Sequence, residues 1–372
     1  MNNRIEIAII GAGLAGLTAA IHLARQGFSV TLFEKNNFPK HKVCGEFISN
    51  EVWDYLKTLD LDIESLHPTK INKTLLSTGS GAAIKTNLPL GGFGISRYTL
   101  DRYLYQTCLK LGVKIIPSTV VDVLYTDENF IIKTEEGTVY ESKIALGSFG
   151  KRSNLDLQLK RNFITKKSPW LAVKAHYKLD FPADVVSLHN FEGGYCGVSK
   201  VENDTVNICY LVRYETFKKY KNITEFQEMV LSKNPKLKII FENASLLFDK
   251  PLTIGQISFE NKPKIENHML MIGDAAGLIH PLCGNGMAMA IHSAKIASEL
   301  ITDFLHQKIS RNQLERNYVN QWNTTFKSRV QFGRLLSRLL LNDWASKIVM
   351  KSLLIFPFVL PFIIKKTHGK PI

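Results

Sequence analysis

The amino-acid sequence predicts an α/β protein built from two unlike sheets, a parallel one with helices on its faces and an antiparallel one laid against it, followed by a helical tail. Three observations lead there. Residues 5–35, IEIAIIGAGLAGLTAAIHLARQGFSVTLFEK, run from an apolar strand through a glycine turn into an amphipathic helix and a second strand. Residues 268–300, HMLMIGDAAGLIHPLCGNGMAMAIHSAKIASEL, repeat the order of strand, turn and helix. Between 160 and 255 the chain breaks into short β-branched or aromatic stretches such as WLAVKAHYKL and TVNICYLV, separated by turn residues.

Composition sets the frame for these elements. With 372 residues, 45% hydrophobic and 22% charged, the chain has room for two domains and no composition that favours disorder. Its five cysteines (44, 108, 196, 209, 283) form no CxxC pair, which argues against a zinc site or a disulfide framework and for a reduced, cytoplasmic setting. The start runs directly into RIEIAIIG, without the pattern of a secretory signal. Charge is lopsided. Residues 301–372 hold twelve Lys or Arg against three Asp or Glu, +9 of the total +14. No helix-turn-helix, zinc-finger or RNA-binding signature accompanies the excess, so nucleic acid is not expected.

In the first glycine turn, Gly11 makes the bend, Gly13 lets a pyrophosphate approach the backbone, and Gly16 lets the helix lie close to the strand, with Ala15 in the first helical turn. The helix start offers free amides and a positive dipole end. Glu34 follows Gly16 by 18 residues (34 − 16), where a carboxylate accepts from ribose hydroxyls. Strand, turn, helix and acid together predict a dinucleotide site, and leave NAD and FAD both open.

The second turn bears on that choice. Met269–Ile272 reads as a short buried strand, residues 273–286 as a compact loop, and Met287 onward as a helix whose small residues Ala288, Ala290, Ala294 and Ala297 permit close packing. Asp274 stands at the strand end, placed for a polyol hydroxyl. The helix start at Gly284, Asn285, Gly286 and Met287 presents amides to an electron-rich group. A reduced isoalloxazine ring, with negative charge near N1 and O2, is such a group.

GDAAGxxxPxxGxGM following an N-terminal GxGxxG resembles the flavoproteins that include p-hydroxybenzoate hydroxylase, related aromatic hydroxylases and geranylgeranyl reductases. The resemblance implies a Rossmann-like FAD-binding domain (GR2-type) in which Gly273 and Asp274 hold the ribityl side, Gly284, Gly286 and Met287 face the flavin, and Pro281 borders the reaction site. It places Arg97, in FGISRYTLDRYLYQTCLKLGVKII, against the cofactor and Val121 beside adenine, whereas Arg102 reads as a surface residue. KxCGE, within HKVCGEF (residues 41–47), is similar to a segment that lies against the flavin in geranylgeranyl reductases and some hydroxylase-like relatives. Cys44 and Gly45 are therefore expected at the cofactor, with Cys44 a site wall, a proton donor or inert core, and Glu46 orienting the loop or the cofactor. One departure stands out. Phe149, in ALGSFGKRSNLD, occupies the position of an aspartate that supports FAD and the reduced nicotinamide in the hydroxylases, although Lys151 and Arg152 remain available to a phosphate.

The expected division is an FAD-binding domain from 1–70, 98–155 and 255–305, a substrate domain from 71–97 and 156–254, and a basic, apolar helical segment from 306–372. Trp170, His176, His189, Tyr195 and Cys196 are candidates to line the substrate pocket. In the tail, Phe332, Leu335, Leu336, Leu339, Leu340 and Trp344 recur at helical spacing among Arg334, Arg338 and Lys347. Leu353–Ile364 is an apolar run of twelve, about 18 Å as helix, too short for a hydrocarbon core of about 30 Å; Pro357 and Pro361 interrupt it. Residues 331–366 therefore either lie on the inner face of a membrane or pack across the protein's own domains.

The expectation for function is an FAD-dependent oxidoreductase using NADH or NADPH, a monooxygenase acting on a hydrophobic phenolic or lipid-like substrate. The alternatives are a geranylgeranyl reductase-like enzyme reducing isoprenoid double bonds and a non-catalytic flavin-binding protein. The Trp-x-Trp-x-x-Pro signature of halogenases is absent, because Trp53, Trp170, Trp322 and Trp344 are widely separated.

Overall fold

The computed structural model describes residues 3–340 and 342–372. Its first sheet is centred on strand Asn3–Ile10, flanked in parallel by Val30–Phe33 and Val139–Gly147, then by Lys114–Ile116 on one side and Met269–Met271 on the other. The second half of the central strand is buried, and its IAII shares one core with helices Leu14–Arg25 and Gly286–Leu305, which pack on each other. Strands Val120–Thr126 and Asn129–Thr134 add an antiparallel meander to Val139–Gly147.

The second sheet has nine strands. The strands from 170 to 213 pair as antiparallel neighbours, and Thr69–Ser77 and Ala83–Gly94 extend them. The expectation of a purely antiparallel sheet needs one correction, since Val185–Phe191 runs parallel to Thr69–Ser77. Strand Phe47–Ser49, the end of the HKVCGEF segment, pairs with Phe47↔Gly94 at the sheet edge, so that motif bridges the two sheets.

Side-chain alternation divides this second sheet. In WLAVKAHYK (Trp170–Lys178), Val173, Ala175 and Tyr177 join an apolar core with helices Ile223–Met229 and Pro235–Asn243. The opposite phase puts Ala172, Lys174 and His176 on the face turned toward the first sheet.

The tail folds into helices Ser328–Leu340, Asp343–Ile355 and Val359–Thr367. The break at 356–358 coincides with Pro357, while Pro361 sits in the first turn of the last helix, where its missing N–H costs nothing. Leu353 and Leu360 pack on Leu76 and Ile84 of the second sheet. The side chains of Leu340 and Lys347 lie outside the described residues. No described helix is long and apolar enough to cross a membrane.

Candidate active site

The first glycine turn is shaped by three different constraints. Gly11 has φ +103°, and a Cβ there would lie 2.6 Å from the Ser148 carbonyl oxygen. Gly16 abuts the Gly11 carbonyl so closely that no side chain fits between helix and strand. Gly13 differs. Its φ of −76° suits any residue and its nearest neighbour would be 3.8 Å away, so the protein itself does not require glycine there. The first-turn amides, Ala15 and Gly16 among them, have no intrahelical acceptor. Glu34 fixes the turn from the next strand by accepting the Ala12 N–H at 2.9 Å. Ser148 braces it from behind, donating to the carbonyls of Ile10 and Gly11, and so takes a supporting role next to Phe149.

The second turn meets the first directly: a Cβ on Gly273 (φ +58°) would come 2.9 Å from that of Ala15. Sequence reasoning missed what holds it in place. Three buried cations each donate to one successive carbonyl of this turn: Lys262 to Asp274 at 2.8 Å, Arg161 to Ala275 at 2.9 Å, and Lys264 to Ala276 at 2.8 Å. Arg161, wholly buried, is neutralised by Asp156 and Glu266. Burial pulls the Lys262 ammonium down to about 8 and that of Lys264 to about 7. With its carbonyls tied on one side, the turn leaves the Asp274 carboxylate on the cavity wall, where it accepts no protein hydrogen bond among the described residues.

The loop 273–286 contains two short 3₁₀ turns, and the following helix begins at Gly286, one residue before the expected start. Its N-cap Asn285 makes no side-chain capping bond, and its buried Oδ1 has no hydrogen-bond partner among the described residues. The amides of Gly286 and Met287 are thus uncapped at a positive helix end. Gly284 turns through φ +64°, and Pro281 opens the preceding 3₁₀ turn on the cavity wall.

HKVCGEF crosses between these elements. Cys44 is half-buried, its thiol 3.4 Å from the Met287 sulfur, and its carbonyl accepts from Asn207 at 3.2 Å. A Cβ on Gly45 would meet nothing within 4 Å although the residue lines the cavity. Glu46 is the anchor. Fully buried with φ +54°, it accepts from Lys174 Nζ at 2.9 Å, pairs with His176 Nε2 at 2.6 Å and accepts the Arg97 backbone N–H at 2.9 Å. Burial alone would raise its carboxyl; the His176 hydrogen bond, Lys174 and the Arg97 amide outweigh that and hold it below the usual carboxylate range. His41, Glu46 and His176 bring donor atoms within 4.8 Å of one another. The Lys174 ammonium already supplies the countercharge, which disfavours a metal cation there.

Arg97 lines the cavity, but its guanidinium is engaged by Asp101 through two bonds of 2.7 and 2.8 Å, and Lys42 joins the same carboxylate at 2.8 Å. What it offers a ligand is therefore an edge already half neutralised. Arg102 is exposed, as expected.

All of these elements border one cavity of about 1420 Å³. That exceeds the ~300–1,000 Å³ of ordinary ligand pockets and leaves room for a substrate beside a dinucleotide. Gly11, Gly13, Ala15, Glu34, Cys44, Gly45, Arg97, Val121, Gly273, Asp274, Pro281, Gly284, Gly286 and Met287 all line it, while Gly16 lies behind the wall. Of the expected substrate-side residues only Tyr195 is on the wall. Trp170, His176, His189 and Cys196 are not: His176 is spent on Glu46, His189 on Ser77 and Ser187, and Cys196 points into the core on the far face of the sheet. Cys209, in the opposite phase to that core, lines the cavity instead.

The residues present fit FAD. Gly13 and Gly45 leave space that protein packing does not explain, Asp274 offers a carboxylate that accepts no hydrogen bond among the described residues, and two helix starts offer amides. Residues 6–57 match the family described as FAD dependent oxidoreductase, and residues 235–341 match the one described as squalene epoxidase. Over both glycine turns the chain is therefore similar to FAD-dependent oxidoreductases.

Relatives of this flavoprotein carry several activities. Conditioned medium factor receptor 1 of Dictyostelium discoideum is 25% identical over 370 residues, covering 89% of this chain and 70% of that protein. Digeranylgeranylglycerophospholipid reductase 1 of Methanosphaera stadtmanae is 26% identical over 333 residues, covering 85% and 79%. Among solved structures, the flavin-dependent brominase Bmp2 aligns with a TM-score of 0.80 at 18% identity over 98% of this chain and 93% of its own. A flavoprotein/dehydrogenase from Cytophaga hutchinsonii aligns at 0.76 and 17% identity, over 91% and 86%. At such identities the structural likeness speaks to fold alone.

Proposed function

We propose that this flavoprotein is an NAD(P)H-using monooxygenase acting on a neutral, largely apolar substrate of the phenolic or lipid-like class. One observation carries the substrate class. Among the described residues, no Asp, Glu, Lys or Arg enters the cavity lining from the second sheet, from residues 278–284 or from the tail helices; Leu76, Leu188, Leu211, Leu282, Leu353 and Leu360 do. A charged substrate would meet no compensating group in that chamber.

FAD would be held by the two glycine turns, Glu34 and Asp274, with its ring toward Gly45, Gly286 and Met287. When bound, it supplies the redox chemistry of oxygen transfer. The chain's own part is to exclude water and hold the substrate against the ring face. Tyr195 and His280 border or back this chamber without charge: burial pushes the Tyr195 phenol well up and pulls the His280 imidazole down to about 3. Phe149 leaves the nicotinamide without the usual carboxylate, and Lys151 and Arg152 at the cavity wall are the cations available to its phosphates.

Reduction of isoprenoid double bonds is the second reading, favoured by Cys44. Its thiol stands against Met287 at the ring-facing helix, where a proton donor to a reduced alkene belongs. The name of the Methanosphaera stadtmanae relative agrees with it.

The deciding experiment incubates the purified holoenzyme with NADH or NADPH and candidate phenolic and polyprenyl lipids in air, and reads product mass. Gain of one oxygen atom supports the monooxygenase; gain of two hydrogens, abolished by Cys44→Ala with flavin retained, replaces it with the reductase. A protein that purifies without flavin and binds none overturns both.

A further inference from the structure

The tail helices present two apolar faces. The inner one, with Val349, Leu353, Leu360, Ile363 and Ile364, roofs the chamber. The outer one faces solvent. Half of the exposed large hydrophobics among the described residues fall between 335 and 362, and the extremes are Trp344 at 75%, Phe358 at 74% and Phe362 at 61% exposed. Leu335, Ile355 and Phe356 extend the same surface. Such clustering is unlike the scattered exposed residues of a soluble surface.

Charge identifies the occupant. Residues 328–372 contain eight Lys or Arg and one Asp (8 − 1 = +7); Arg338, Lys351, Lys365 and Lys366 are exposed, and the Lys366 ammonium lies 5.3 Å from the Phe362 ring. A second copy of this chain would set +7 against +7. An anionic lipid surface satisfies both the apolar and the basic residues, and no described helix continues far enough to cross it.

We propose that the outer face of residues 335–366 docks on an anionic bilayer, and that the chamber takes its apolar substrate from that surface through the helical roof. The second half rests on the substrate class proposed above; docking does not. Membrane and chamber share the same two short helices, so a lipid leaving the bilayer crosses one layer of side chains to reach the cavity.

The test is flotation of the flavin-loaded full chain with phosphatidylcholine vesicles, with and without phosphatidylglycerol, in the absence of any substrate or nicotinamide. Wild type is expected to float with the anionic vesicles and to remain in buffer with the neutral ones. Trp344→Ser, Phe358→Ser and Phe362→Ser combined should weaken partitioning at least about tenfold, and so should Lys365→Glu with Lys366→Glu, with flavin content unchanged. Should the triple variant misfold, quenching of Trp344 fluorescence by brominated acyl chains, read against Trp344→Phe, reports insertion in the wild type. A wild type that ignores anionic vesicles, or a triple variant that floats equally well, overturns the proposal. So does a dimer in buffer that the triple variant dissolves. Absence of turnover would count against the substrate class and leave docking standing.

Discussion

The nucleotide cradle and the chamber behind it are walls of one cavity built in opposite ways. The cradle is made of backbone: glycines, uncapped amides and two acids, each within one strand-turn-helix unit. The chamber is made of side chains contributed by distant segments, and it is held to the cradle by Glu46, whose partners Lys174 and His176 come from the second sheet. A local motif can specify a backbone surface; a side-chain surface depends on how whole layers are placed.

The largest effect should come from breaking the junction. Glu46→Ala leaves the buried Lys174 unpaired and is expected to cost about 3–5 kcal/mol in denaturant unfolding. Adding Lys174→Met should recover a good part of that loss. A single variant within 1 kcal/mol of wild type would mean that the ion pair does not hold the two walls together.

The cradle breaks differently. Gly13→Ala adds a Cβ that has room against the protein at a permitted φ, so the apoprotein should melt as wild type does while FAD affinity falls about a hundredfold, roughly 2.7 kcal/mol. An apoprotein that melts much lower would show that this glycine serves the fold. A smaller loss is expected for Asp274→Ala, about tenfold in flavin affinity or roughly 1.4 kcal/mol, with little change in stability, because among the described residues the carboxylate accepts no hydrogen bond and acts on Lys262 and Arg97 only through space.

The smallest effect separates the walls by acid. Burial lowers His22 and His189 to about 4 and His280 to about 3, from 6.5. Between those values and 6.5 the unfolded chain binds protons that the native protein does not, so stability present at pH 7 is lost as pH falls. Melting temperature should therefore drop between pH 7 and pH 5, and His280→Gln should flatten that drop by about 2 °C. An identical slope in wild type and variant would remove His280 from the account.

These differences also explain what the sequence disclosed. Gly11 to Gly16 and Gly273 to Met287 were legible because each constraint is local: a positive φ, a close approach, a helix start. Lys174 was not, although WLAVKAHYK carries a signal, since Lys174 and His176 share one face of an apolar strand and must both be paired if buried. Nothing local indicates that their partner is Glu46. The cations that tie the second turn, Arg161, Lys262 and Lys264, are equally silent, because a lysine near a strand usually means solvent. His189 and Cys196 were misplaced for a simpler reason: a strand residue faces pocket or core according to phase, and phase is known only once the sheet has two neighbours.

The three bonds converging on Glu46 also bear on stiffness. Its carboxylate fastens the HKVCGEF loop, the start of the helix at Arg97 and the second sheet at a single point, so shear between the sheets would have to break an ion pair and two hydrogen bonds at once. The helical roof above the chamber meets the sheet through aliphatic contacts such as Leu353 and Leu360 on Leu76, which slide at little cost. If FAD and an apolar substrate bind as proposed, the stiffer side would hold the ring and the side joined by aliphatic contacts would admit the substrate.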